Sequence, residues 1–308
     1  MNIYTAPIQG HTDAAWRHFH QQVYGGKNRY FTPFMRLEHG EARSRDIRDF
    51  TNELNAGLDL EPQVIFRNME ELEPLIAALA DEGATRINLN IGCPFPLQTG
   101  KGRGAGFIAN TEEAARLPET LSHWPGISFS LKMRLGFADP EEWRGIIDTL
   151  NSLDLRFVAL HPRVARQQYG GEVDMAQFEE FLKASKNPVI YNGDLRTPTD
   201  VAKIAQQFPD IEGVMLGRGL LGRPSLAAEV AEGKEWSHEQ RIESMKKFHR
   251  RLLNHYEETL QGDSQVLSKI KPFWEYAEDE IGRKAWKAIK KATNIPKYHS
   301  ALPLISAD

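Results

Sequence analysis

The chain has 308 residues, 41% hydrophobic and 26% charged, with 38 Lys and Arg against 42 Asp and Glu and a formal net charge of −4. That length holds one barrel-sized domain of about 250 residues plus a small second one, and the ordinary composition excludes fibrous and disordered classes. No run of about 18 apolar residues exists to form a membrane-spanning helix, and one cysteine excludes an intrachain disulfide. The stretch Met1–Pro7 lacks the basic flank and apolar segment of a secretory signal, so a cytoplasmic location is expected.

Short apolar runs that end in polar or turn residues recur at Ile3–Ala6, Tyr30–Phe34, Gln63–Phe66, Arg86–Asn90, Phe129–Met133, Phe157–His161, Val189–Asn192 and Gly213–Leu216. Most alternate with stretches that suit helices: Glu70–Glu82, Thr111–Leu121, Pro140–Ser152, Met175–Ser185 and Thr197–Gln207. Buried strands separated by helices predict a parallel sheet, and eight such units predict an α/β fold of the (β/α)8 TIM-barrel type. An open doubly wound sheet would be favoured by a G-x-G-x-x-G loop after the first strand; Pro7-Ile8-Gln9-Gly10 stands there instead. Beyond Gly233 the pattern turns helical, with Glu239–Leu260, Gln265–Glu280 and Arg283–Thr293, and Pro272 is expected to kink the second of these or mark its start. The expected division is a barrel over 1–234 and a small helical domain over 235–308.

Charge divides similarly. Residues 236–308 hold 13 Lys and Arg against 10 Asp and Glu, leaving 25 against 32 of the totals for the remainder. Arg283, Lys284, Lys287, Lys290 and Lys291 fall at helical spacing. The simplest reading is a solvated helix face; the sharper one is a phosphate-contacting surface.

In such barrels, chemistry lies at the C-terminal ends of strands. Lys132 and Arg134 end the fifth strand, and alternation puts both on one face, which points to an anionic ligand. Asn192-Gly193-Asp194 and Gly217-Arg218-Gly219 follow strands seven and eight, where phosphate sites of such barrels commonly form. His161 alone reads most simply as a core histidine, and no second ligand stands at metal-binding spacing, so no metal is expected. Cys93 lies between Gly92 and Pro94 just past a strand, beside Gly100-Lys101-Gly102-Arg103-Gly104-Ala105-Gly106. That segment reads as a mobile cationic loop suited to polyanion contact or lid closure. At an ordinary pKa of about 8.5 the thiol is mostly neutral and able to donate a proton.

Together these residues resemble the tRNA-dihydrouridine synthase family over nearly the whole chain. The resemblance runs through Ala6-Pro7-Ile8-Gln9-Gly10 with Thr12-Asp13, Asn90-Ile91-Gly92-Cys93-Pro94 and Lys132-Met133-Arg134-Leu135-Gly136. It continues through His161-Pro162-Arg163 with Tyr169-Gly170-Gly171, then Asn192-Gly193-Asp194 and Gly217-Arg218-Gly219. It implies FMN-dependent reduction of tRNA uridine with NADPH as reductant, hydride passing from flavin N5 to uracil C6 and Cys93 protonating C5. It also implies that Pro7, Ile8 and Gln9 line the flavin, that Gln63 and Lys132 bond its polar ring edge, and that His161 sits beside the ring. Asn192, Gly193, Asp194, Gly217 and Arg218 would hold its phosphate end, and Asn90 and Arg134 would lie near base and flavin. The C-terminal domain would hold tRNA, with Lys269, Lys271, Arg283, Lys284 and Lys287 as candidate contacts, and the chain is expected to act as a monomer. Ile8 stands where the family usually has methionine, and Pro162-Arg163 where many members have Gly-Arg-Thr. Rival readings are a small-molecule FMN barrel of the dihydroorotate or dihydropyrimidine dehydrogenase type, a Schiff-base aldolase using Lys132, and a non-catalytic tRNA-binding protein.

Overall fold

A computed structural model describes residues 1–306. Its strands, in chain order, are β1 (Asn2–Thr5), β2 (Arg29–Phe31), β3 (Leu37–Glu38), β4 (Glu41–Ala42), β5 (Asp59–Glu61), β6 (Gln63–Ile65), β7 (Arg86–Ile91), β8 (Ser128–Gly136), β9 (Val158–Val164), β10 (Val189–Tyr191) and β11 (Gly213–Leu216). β3 and β4 pair as a small antiparallel hairpin. The other nine form one parallel sheet in the order β5-β2-β1-β11-β10-β9-β8-β7-β6. The ends of that order are consecutive in the chain, separated only by Pro62, and Met35 beyond β2 bridges to Val64 in β6. The ring therefore nearly closes. The expected third strand, Gln63–Phe66, is β6; β5 before it was not expected, and Pro62, which has no N–H to give to a ladder, separates the two, so the sheet has nine strands where eight were expected.

The barrel interior is chemically divided. Tyr4, Ala6, Phe31, Phe157, Ala159, Ile190 and Met215, from β1 and β2 and from β9 to β11 or their ends, pack into one apolar cluster. On the β5 to β8 side the interior positions are Glu61, Gln63, Asn88, Asn90, Ser130, Lys132 and Arg134. The register aligns Gln63 with Asn88, Asn88 with Ser130 and Asn90 with Lys132. Because strand side chains alternate between faces, Ser130, Lys132 and Arg134 climb the same side of β8 towards the barrel mouth.

Two expected outer helices are interrupted. Thr111–Leu121 is split into helices Thr111–Ala114 and Leu117–Ser122, and Pro140–Ser152 into a 3-10 turn, Glu142–Gly145, and a helix, Ile147–Asn151. The helix Ala14–Tyr24 was not anticipated; Asp13 caps it, its carboxylate accepting from Trp16 N–H at 3.1 Å.

The β/α alternation stops after the helix Leu226–Glu232, which ends on the left-handed Gly233. Beyond it lie helices His238–Thr259, Gly262–Ile270, Glu278–Ile281, Arg283–Lys291 and Ile295–Ala301. Pro272 does not kink a continuous helix over Gln265–Glu280 but ends it: Gly262–Ile270 stops, and Pro272 sits in the first turn of the 3-10 segment Lys271–Trp274. The long helix His238–Thr259 lies on Ala14–Tyr24, with Phe248 edge-on to Trp16 at 5.6 Å. One apolar core continues from the barrel's outer layer into these helices. Among the described residues, no helix is long and apolar enough to cross a membrane.

Candidate active site

A cavity of about 450 Å³ opens at the C-terminal ends of the strands, within the usual range for ligand sites of about 300–1,000 Å³. Pro7, Ile8, Gln9, Asn90, Cys93, Lys132, Arg134, His161, Asn192, Gly193, Asp194, Gly217 and Arg218 all line it. Gln63, expected to bond the edge of a flavin ring, does not: it is 1% exposed and lies below the floor. Its amide nitrogen donates to Asn88 and its oxygen accepts from Asn90, both at 2.7 Å.

Lys132 forms neither a hydrogen bond nor an ion pair with any described residue. Burial first, and the Arg134 charge second, push its ammonium down to about 8. Arg134 is 1% exposed and donates only to the Val164 carbonyl, at 2.9 Å; burial lowers it to about 10. A buried and a half-buried cation with no carboxylate partner among the described residues are costly, and an anion at the mouth would compensate both.

Cys93 is 7% exposed. Its N–H and that of Gly92 both donate to Asn90 Oδ1, at 2.9 and 3.0 Å. Burial pushes the thiol up, outweighing the opposing backbone hydrogen bond at Phe95 and the Lys132 and Arg134 charges. The group is thus a protonated thiol at neutral pH, suited to giving a proton rather than to nucleophilic attack. The adjoining glycine-rich segment is not the mobile cationic loop expected. Arg103 is buried in a bidentate pair with Glu71, both contacts 2.8 Å, and Gly104–Phe107 is a packed 3-10 turn. Gly104 has φ +56°, and a Cβ there would stand 2.6 Å from the Cys93 carbonyl oxygen, so this turn is the wall against which Cys93 rests.

The opposite wall is built around Arg163, a residue given no role on sequence grounds. It lies in β9, 1% exposed, and donates to His161 Nε2 at 3.1 Å, to Gly171 O at 2.6 Å and to Asp194 Oδ2 at 2.5 Å. A guanidinium only donates, so His161 Nε2 accepts and the ring proton sits on Nδ1. Burial, then the charges of Arg134, Lys132, Arg163 and Arg218, keep this histidine neutral. Burial works against ionised Asp194, but Arg163 and Arg218 hold its carboxyl below the usual range; Arg218 donates to it at 3.1 Å. Asp194 therefore fixes two arginines. Tyr169 lies between cations, Arg218 at 4.1 Å and Arg134 at 5.3 Å from its ring centre. The loops after β10 and β11 touch so closely that a Cβ on Gly219 would meet the Leu195 oxygen at 1.9 Å.

Glu275 and Tyr276 from the helical part also line the cavity, which no sequence signal indicated. Of the basic candidates there, Lys269 is paired with Asp13 at 2.8 Å. Lys271 donates to the carbonyls of Lys290, at 3.1 Å, and Ala292, capping the helix Arg283–Lys291 from its C-terminal end. Both are spent on the fold. Arg283, Lys284 and Lys287 are exposed. Among the described residues no cluster of His, Cys, Asp or Glu could hold a metal ion.

The dihydrouridine synthase family model matches residues 4–301. A protein of Rhodobacter capsulatus named "Probable tRNA-dihydrouridine synthase" is 30% identical over 209 residues, 68% of this chain and 64% of that protein. "Probable tRNA-dihydrouridine synthase 2" of Bacillus subtilis is 26% identical over 254 residues, covering 78% and 75%. The chain thus spans somewhat under two thirds of the first relative and three quarters of the second. Among solved structures, morphinone reductase in complex with tetrahydroNAD aligns with a TM-score of 0.54 at 9% identity, covering 77% of this chain and 88% of that one. A variant of NCR from Zymomonas mobilis aligns with 0.53 at 14%, with the same coverage. These two likenesses concern the barrel fold. The family model covers both the barrel and the helices that follow it, and the chain belongs to the dihydrouridine synthase family.

Proposed function

We propose that the cavity holds FMN and that the chain, with NADPH as reductant, reduces uridine in tRNA to 5,6-dihydrouridine. The observation that carries this reading is buried Arg134 with half-buried Lys132 on the cavity wall, neither with a carboxylate partner among the described residues, beside the protonated thiol of Cys93. Such a mouth suits a ligand that is anionic at one ring edge and a reaction that consumes a proton. When bound, the flavin supplies the hydride.

The chain's own residues do the rest. Pro7, Ile8 and Gln9 form an apolar and amide wall for a ring system, and Lys132 stabilises negative charge at its edge. Arg218, fixed by Asp194, and the open backbone at Gly193 and Gly217 receive a phosphate, with Asn192 holding the loop through its bond to Met215 O at 2.7 Å. Neutral His161 lines the ring site. Asn90 and Arg134 orient the base, and Cys93 Sγ gives its proton to C5. A base must leave the stack to enter so enclosed a site. We assign phosphate contacts on tRNA to the segment 235–308 as a domain, through Arg283, Lys284 and Lys287 rather than Lys269 and Lys271. A cytoplasmic monomer goes with this reading.

The test is direct. The purified protein should be yellow, release FMN on denaturation, and convert uridine in unmodified tRNA when NADPH is added, as mapped position by position. A colourless protein that takes up no added FMN refutes the flavin; a flavoprotein that leaves tRNA unchanged refutes the substrate.

A further inference from the structure

Beneath the cavity floor, side chains of four neighbouring strands make one unbroken hydrogen-bonded line. Arg156 donates to Glu61 Oε2 at 2.5 Å, and the Ser130 hydroxyl donates to Glu61 Oε1. Asn88 Nδ2 donates to Ser130 Oγ at 2.6 Å, and Gln63 Nε2 to Asn88 Oδ1 at 2.7 Å. Asn90 Nδ2 donates to Gln63 Oε1 at 2.7 Å, and Asn90 Oδ1 receives the N–H groups of Gly92 and Cys93. Glu61, Gln63, Asn88 and Ser130 are at most 3% exposed, and none lines the cavity.

The direction of this line is forced from both ends. Backbone N–H groups only donate, so Asn90 must turn its oxygen to them. The Arg156 guanidinium only donates, so Glu61 must accept. Between them each amide has one permitted orientation, because flipping any one sets donor against donor. The other half of the barrel is filled by Phe31, Phe157, Ile190 and Met215, and apolar filling is at least as stabilising as a buried ionic network. The polar column is therefore not explained by stability alone.

We propose that Glu61, Ser130, Asn88 and Gln63 are positioning residues: an oriented column that fixes the Asn90 amide and, through it, the turn carrying the Cys93 thiol. This rests on the reading of Cys93 as the proton donor. The column transmits donor–acceptor polarity from the base of the barrel to the reacting end, so a change that alters polarity but not shape at Glu61 is felt at Cys93.

Glu61→Gln is such a change. If its amide oxygen faces Ser130, its NH2 confronts the Arg156 guanidinium. If the NH2 faces Ser130, either Ser130 Oγ accepts from both amides and its own proton loses the carboxylate that received it, or the line reverses and Asn90 presents NH2 to two backbone N–H groups. Because the chain has a single cysteine, alkylation by iodoacetamide reports this turn alone. In flavin-free Glu61→Gln, alkylation should accelerate roughly tenfold, the scale of one disrupted buried hydrogen bond. FMN affinity and flavin reduction by NADPH should stay at parent values while reduction of tRNA slows. Glu61→Gln/Arg156→Met removes the opposing guanidinium and should return alkylation and turnover towards the parent, although an ion pair is gone. Ser130→Ala, which leaves Asn88 Nδ2 without an acceptor, should loosen the turn as well, and decides the matter if Glu61→Gln does not fold. Alkylation at the parental rate in the single variants, or a double variant as loose as Glu61→Gln, overturns the proposal. If the alkylation pattern appears but even the parent leaves tRNA unreduced, the column stands and the uridine-reduction reading fails.

Discussion

Lys132 offers a quantitative check on the anion site that needs no substrate. In the flavin-free protein its ammonium sits half-buried in the cavity wall without a partner among the described residues, and desolvation, then the Arg134 charge, lower its pKa from 10.5 to about 8. A shift of that size corresponds to at most about 3 kcal/mol of destabilisation by the charged form. Below pH 8 the group is protonated in both folded and unfolded chains, so the full cost is present. Between pH 8 and the unfolded value near 10.5 the unfolded chain binds more protons than the folded one, so stability rises with pH and the cost disappears above that window. Lys132→Met keeps the apolar stem without the charge. At pH 7 the flavin-free variant should therefore be more stable than the parent, by up to about 3 kcal/mol, and the gap should close as pH rises towards 10.5. With saturating FMN the order should reverse, because only the parent gains fully from ligand binding. Urea denaturation of both proteins at several pH values measures this; titrating groups remote from Lys132 cancel in the difference, and repeating the pair in a Cys93→Ala background removes the thiol that feels the Lys132 charge. A variant no more stable than the parent at pH 7, with a gap that does not change with pH, would refute the account of Lys132 as an uncompensated, desolvated cation.

Four further outcomes are expected. Cys93→Ala should bind FMN and accept electrons from NADPH while tRNA reduction falls roughly 10²–10⁴-fold; near-normal single turnover would remove Cys93 from proton delivery. Gly104→Ala forces a Cβ against the Cys93 backbone at a left-handed position and should cost about 1–3 kcal/mol in urea denaturation, with unchanged stability contradicting the packed wall. Lys271→Met should lower the melting temperature, through about 1 kcal/mol of lost capping, and leave the salt dependence of tRNA binding as it was. Replacing Arg283, Lys284 and Lys287 by Glu should flatten that dependence by about one unit of slope for each phosphate no longer neutralised; a parental slope would return these residues to a solvated helix face.

Strand positions were legible because barrel strands are short apolar runs bounded by turn residues, and the mouth residues followed from their ends. What escaped depended on partners distant in sequence. Composition marked Gly100–Gly106 as cationic and mobile, but Arg103 is neutralised by Glu71, from a different helix 32 positions earlier. Lys271 looked like a surface cation, but the carbonyls it caps lie 19 and 21 residues later. Arg163 was passed over because nothing local reveals that it ties His161 to Asp194. The helix Ala14–Tyr24 carries Arg17, His18, His20, Gln21 and Gln22, so its apolar face is diluted in the sequence, although Asp13 marked its start.

The shared core between that helix and His238–Thr259 has a consequence for how the chain is made. Trp16 packs on Phe248, and β1 pairs with β11, so an element synthesised first waits for partners synthesised last. At about 5–20 residues per second, the apolar face of the first helix stays uncovered for roughly 10–50 s while the intervening segments emerge. Those nascent surfaces are the ones a chaperone would meet, and a ribosome stalled before the long helix would release a barrel whose flank is still open.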